Sequence, residues 1–140
     1  MGGRAKVELR EMTKSKAPRP TDAELEILGV LWRRGPSTVR EVHDHLSSKK
    51  SMVYTTILKL MQIMTGKGLV ERDERDRAHL YRAKLPQEQT QRQLLSHLLE
   101  RAFEGSASQL VMQALSSKRT SREEMARIRE LLDNFERGKK

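Results

Sequence analysis

The chain has 140 residues, with 28 Lys and Arg against 19 Asp and Glu, a formal net charge of +9, and only 36% apolar and 4% aromatic residues. No stretch approaches the roughly 20 apolar residues that a membrane-spanning helix needs, and the polar segment Met1 to Pro20 lacks the apolar run of a secretory signal. The absence of cysteine excludes disulfides, thiolate metal sites and a cysteine nucleophile, so a soluble, cytoplasmic chain is expected.

Residues 1–20 carry six basic and two acidic groups and too little apolar surface to order themselves. They are expected to form a flexible basic tail able to follow nucleic-acid phosphates. Thr21 stands three positions before Glu24, the capping-box spacing. Leu25, Leu28, Leu31 and Trp32 then recur as a helical stripe until Gly35-Pro36 stops it. Ser37 or Thr38 caps a second helix whose buried face is Val39, Val42 and Leu46.

Ser47 to Ser51 is a polar break. A third helix is expected from about Ser51 to Thr65, with Val53, Ile57, Leu60, Met61 and Met64 on one face. Tyr54, Thr55, Leu58, Lys59, Gln62 and Ile63 lie on the other, and Gly66-Lys67-Gly68 ends the helix. Leu69-Val70-Glu71-Arg72 and His79-Leu80-Tyr81-Arg82 flank a charged turn and read as a β-hairpin. After Pro86 the pattern is helical to the end, with three amphipathic stripes. The first holds Leu94, Leu95, Leu98, Leu99 and Phe103; the second Leu110, Val111 and Leu115; the third Met125, Ile128, Leu131, Leu132 and Phe135.

The expected fold is therefore mainly α. Residues 21–85 read as a winged helix-turn-helix, three helices plus a β-hairpin wing, and 86–140 as a helical dimerisation domain. The third helix of such a unit enters the major groove with its N-terminal residues at base edges. Tyr54, Thr55 and Thr56 are placed there; threonine offers a methyl and a hydroxyl to the bases. Lys59 suits a phosphate one turn on. Lys49, Lys50 and Ser51 stand at the helix entry, where the lysines suit backbone phosphates and Ser51 can cap the helix as well as touch DNA. Arg75 and Arg77 would reach phosphates from the wing. The competing reading is that Glu71, Asp73, Glu74 and Asp76 neutralise these arginines locally.

The Leu-rich C-terminal stripes are too long to hide on one short helix, so a second copy of the chain is the expected partner. A two-fold dimer would present two recognition helices to a palindromic duplex. Leu94, Leu95, Leu98, Leu99, Phe103, Leu110, Val111, Leu115, Ile128, Leu131 and Leu132 are the dimerisation candidates. The alternative is that these stripes pack back on the first half. Ser47-Ser48-Lys49-Lys50 matches a Ser-x-x-Lys pattern, but no companion catalytic motif accompanies it. The histidines are scattered, so no enzyme, metal or cofactor is expected. A protein-binding winged helix without specific DNA binding is the rival function.

Tyr54-Thr55-Thr56-Ile57, Gly66-Lys67-Gly68-Leu69-Val70, Asp76-Arg77-Ala78-His79 and Tyr81-Arg82 occur in this order. With Leu25-Glu26-Ile27-Leu28, Leu31-Trp32 and Thr38-Val39-Arg40-Glu41-Val42, they resemble the penicillinase-repressor family (the BlaI, MecI and CopY group) over about 21–137. The resemblance implies a dimeric repressor of an inverted-repeat operator. It also implies, for β-lactam-responsive members, derepression when a membrane sensor-protease triggers a cut in the dimerisation region. Three departures stand out. The cysteines of copper-sensing members are absent. The Asn-Phe pair cut in the β-lactam-responsive members corresponds loosely to Gln113-Ala114, whereas Asn134-Phe135 lies near the end, where Phe135 reads as core. Ile63 stands where some relatives carry Arg late in the recognition helix.

Overall fold

A computed structural model of the chain describes residues 19–47, 52–75, 77–117 and 119–138. The tail expected over 1–20 falls almost wholly outside them, as do Lys49, Lys50, Ser51 and Asp76. In order, the elements are α1 (Asp22–Arg34), α2 (Val39–Ser47), α3 (Tyr54–Lys67), β1 (Val70–Asp73), β2 (Leu80–Ala83), α4 (Gln87–Ala102), α5 (Ala107–Ser117) and α6 (Arg122–Gly138). The chain divides into two compact units, one through Leu95 and one from Ser96.

The first unit is a winged helix-turn-helix. Its helix starts are fixed by side chains. Thr21 Oγ1 accepts from the Glu24 amide at 3.2 Å, and the Glu24 carboxylate accepts from the Thr21 amide at 2.9 Å. The same box recurs at α2, where Thr38 Oγ1 accepts from the Glu41 amide at 3.1 Å and Glu41 accepts from the Thr38 amide at 2.8 Å. Thr38, rather than Ser37, is thus the cap. Each box satisfies two backbone groups that would otherwise lack partners.

Helix α3 differs from the expectation at its start. It begins at Tyr54, with Val53 in the N-cap position and no side-chain cap hydrogen bond from it; the expected cap, Ser51, lies outside the described residues. Val53 is accordingly 61% exposed rather than buried. The other end is a Schellman turn: the Gly68 amide donates to Thr65 O and the Leu69 amide to Met64 O. Gly68 has φ 83°, a left-handed conformation that a Cβ would strain.

One apolar core joins these elements. Ile27, Leu28, Val30 and Leu31 of α1 meet Val39, Val42 and Leu46 of α2 and Ile57, Met61 and Met64 of α3. The buried arc of α1 is rotated from the expected stripe: Ile27 and Val30 are inside, and Leu25 and Trp32 only partly covered. Three neighbours, α2, α3 and β2, pack on α1, so its covered arc is wider than one row of leucines. Trp32 Nε1 still donates to Leu85 O at 3.0 Å, tying α1 to the segment after the wing.

The wing pairs β1 and β2 antiparallel, with Val70 opposite Ala83 and Asp73 opposite Leu80. A third, one-residue strand completes it: Ser37 and Tyr81 exchange both backbone hydrogen bonds, at 2.9 and 2.8 Å. Ser37 is fully buried and Tyr81 is 2% exposed. The bridge thus anchors the wing to the start of α2, and the aromatic ring fills the core beneath it. A buried ion pair closes the other side. Glu24, 2% exposed, accepts from Lys67 Nζ at 3.0 and 2.9 Å, joining the start of α1 to the end of α3. Burial pushes the Glu24 carboxyl up, but the hydrogen bonds from Lys67 and Thr21 and the Lys67 charge outweigh it and hold it below its ordinary value.

In the second unit the end of α4 turns through Glu104 and Gly105, both with positive φ (50° and 82°). Ser106 Oγ then accepts from the Gln109 amide at the start of α5, and Ser121 Oγ from the Glu124 amide at the start of α6. Neither α5 nor α6 contains a buried residue.

Candidate nucleic-acid interface

The α3 start is set by its buried face. Ile57, Met61 and Met64 are wholly inside, which turns Tyr54, Thr55, Thr56 and Lys59 outward, all exposed. Gln62 and Ile63 continue the exposed surface toward the helix end. Leu58, expected on the outer face, instead packs partly against the core. A row of short hydroxyl groups with one lysine can therefore reach a groove wall without unpacking the helix.

The four wing arginines are not equivalent. Arg75 grips Asp73 with Nε and a terminal nitrogen, at 3.1 and 2.7 Å, and its amide adds a third bond. These bonds hold the Asp73 carboxyl down at about 2. Arg72 donates to Glu74 at 2.8 Å, and Arg82 to Glu71, its cross-strand neighbour, at 2.9 Å. Local neutralisation thus operates at Arg72, Arg75 and Arg82. Arg77 is exposed and has no carboxylate partner among the described residues. An exposed pair is worth little and exchanges readily, so Arg75 is not barred from a phosphate, but it must first give up Asp73.

A cleft runs between the start of α2, the start of α3 and the wing, lined by Thr38, Arg40, Tyr54, Leu58, Arg77 and His79 among others. Arg40 was not singled out from sequence. Its guanidinium carbon lies 5.5 Å from the centre of the Tyr54 ring, and the His43 ring meets Tyr54 edge-on at 6.1 Å. The Thr38-to-Glu41 capping box carried the needed signal, because it sets the phase of α2 and puts Arg40 opposite Val39, Val42 and Leu46. Among the described residues no cluster of His, Asp and Glu could hold a metal ion, and no helix is long and apolar enough to cross a membrane.

Of the dimerisation candidates, Leu95, Leu98, Val111, Leu131 and Leu132 are 46–60% exposed, while Leu94, Leu99, Phe103, Leu110, Leu115 and Ile128 are half-buried. Phe135, read from sequence as core, is instead 72% exposed, on a helix that holds no buried residue. Gln113 and Ala114 are exposed on α5.

The sequence model of the penicillinase repressor family matches residues 20–134. The chain belongs to the penicillinase repressor family. Over 68 residues it is 40% identical to the transcriptional regulator BlaI of Mycobacterium tuberculosis. That stretch is 48% of this chain and 49% of the relative, so the chain spans about half the length of this mycobacterial protein. Over 126 residues it is 26% identical to the penicillinase repressor of Bacillus licheniformis, covering 89% of this chain and 98% of that one. Among solved structures it is similar to the monomeric form of Bacillus licheniformis BlaI in complex with the blaP half-operator. The TM-score is 0.47 and the identity 26%, over 52% of this chain and 89% of that one.

Proposed function

We propose that this family member is a sequence-specific DNA-binding transcriptional repressor that acts as a homodimer on an inverted-repeat operator. The exposed polar start of α3 beside the wing carries the proposal: Tyr54, Thr55 and Thr56 at base edges, Lys59 on a phosphate, and Arg77 reaching from the wing. Lys49, Lys50 and Ser51 are assigned to the helix entry, and Arg75 to a wing contact made at the expense of Asp73. Both named relatives are a regulator and a repressor, which supports the reading.

The dimer is assigned to the helical segment 86–140, which begins in the first unit and makes up the whole of the second. Exposed leucines on α4 and α6 and Val111 on α5 leave it with apolar surface of the kind that oligomer interfaces cover. Residues 21–85 are the DNA-binding domain and 86–140 the dimerisation domain in this account. Derepression is assigned to a membrane sensor-protease route; Gln113-Ala114, which stands where the β-lactam-responsive members carry the Asn-Phe pair, is not assigned as its cleavage site.

Fluorescence anisotropy on the duplex just upstream of the chain's own gene, against a scrambled duplex, tests the proposal. Tight preference for the native duplex with two chains bound is the expected result. Equal binding to both duplexes would refute sequence-specific repression at that site, and binding to neither would favour the protein-interaction module.

A further inference from the structure

We propose that Arg40 is a positioning residue for base reading, holding the Tyr54 ring from α2 while donating to a DNA backbone phosphate; this rests on the repressor reading above. Tyr54 opens α3 at a start where Val53 makes no side-chain cap hydrogen bond, and at 38% exposed it is only partly held by packing. What orients its ring comes from α2. The Arg40 guanidinium lies over one face at 5.5 Å, within the roughly 6 Å reach of a cation–π contact. The His43 ring meets it edge-on at 6.1 Å and 68°. Arg40 and His43 are three residues apart on one helix, so both contacts arise from one face of α2.

Arg40 is exposed and has no carboxylate partner among the described residues, whereas neighbouring Glu41 is taken by Arg34 at 3.3 Å. A guanidinium can stack through its face and donate through its edge at once, which an ammonium cannot match. Arg77, which also has no carboxylate partner among the described residues, lines the same cleft. A phosphate drawn into the cleft would tighten Arg40 over Tyr54 and so couple backbone engagement to the base pair Tyr54 reads.

The test begins with a consensus duplex that the wild-type protein selects from a randomised pool, and a panel carrying each single base-pair change. Arg40→Ala is expected to weaken binding throughout and to reduce the slope of log affinity against log salt by about one. It should also flatten, by roughly two- to fivefold, the preference at the same base pair that Tyr54→Ala flattens, and the double variant should flatten it no further. Arg40→Lys should restore the salt slope but not the preference. In the DNA-free protein, the Tyr54 ring resonances should shift in Arg40→Ala and stay put in Lys59→Ala. Uniform weakening by Arg40→Ala, additive with Tyr54→Ala, or unshifted ring resonances would overturn the positioning role while leaving the repressor reading intact. Failure of the wild-type protein to select any consensus would overturn both.

Discussion

The Glu24–Lys67 pair tests how the DNA-binding unit is closed. Glu24→Gln keeps the side-chain volume and, because Gln also serves at the third helical position of a capping box, keeps the bond from the Thr21 amide. It removes the charge that Lys67 Nζ meets at 2.9 Å. A hydrogen bond to a charged group is worth about 1.5–3 kcal/mol. Lys67 is 28% exposed and can turn to water, so the lower end, about 1.5–2 kcal/mol, is expected. Lys67→Met is the harsher change. It strands a carboxylate that is 2% exposed, and breaking a buried pair that way costs about 3–5 kcal/mol.

Urea titration followed by the fluorescence of Trp32, the single tryptophan, reads this directly, since Trp32 belongs to the same unit. Glu24 is held below its ordinary value by Lys67 and Thr21 against the opposing effect of burial. Its contribution is therefore full above the unfolded value of about 4.3 and is lost as pH falls through the lower native value. The wild-type and Glu24→Gln midpoints should differ at pH 7 and converge in acid. Equal stability of wild type and Glu24→Gln at pH 7, or Lys67→Met no worse than Glu24→Gln, would refute the reasoning.

Three further outcomes are expected. Lys59→Ala should weaken DNA binding across sequences and cut the salt slope by about one, whereas Thr55→Ala should remove about 1–3 kcal/mol of discrimination at one base pair; unchanged preference in Thr55→Ala would mean that α3 is oriented differently on the duplex. Asp73→Asn should free Arg75 and raise affinity at low salt. With the Asp73 carboxyl at about 2, its protonation cannot release Arg75 between pH 5 and 8, so titrating the wild type over that range should not mimic the substitution. Leu98→Asp and Leu131→Asp should halve the sedimentation mass and lower operator affinity, and an unchanged mass would contradict the assigned interface.

Local chemistry was legible in the sequence, and non-local pairing was not. The Thr21 cap and the stop within Gly66-Lys67-Gly68 depend on neighbours a few positions away, so their spacing announces them, whereas the choice between Ser37 and Thr38 at α2 was open until the structure placed the cap on Thr38. The hairpin followed from two short apolar runs around a charged turn. Other features needed partners far along the chain. Glu24 is buried only because Lys67, 43 residues later, reaches it. Ser37 is buried because it pairs with Tyr81. Arg40 meets the Tyr54 ring because α3 brings it there. The arc of α1 shifted toward Ile27 and Val30 for the same reason, since periodicity gives a stripe but not the width that three packing neighbours cover. In the wing, the alternation of charges was visible, but only the geometry distinguishes Arg75, gripped by Asp73, from Arg77.

Hydroxyl-radical footprinting of the full-length protein on its selected duplex tests the central claim most directly. A homodimer reading DNA through α3 predicts two protected half-sites related by a dyad, about one helical turn or a multiple of it apart, and both should vanish together in Thr55→Ala/Lys59→Ala. A single asymmetric patch, or protection that ignores the sequence of the duplex, would contradict it.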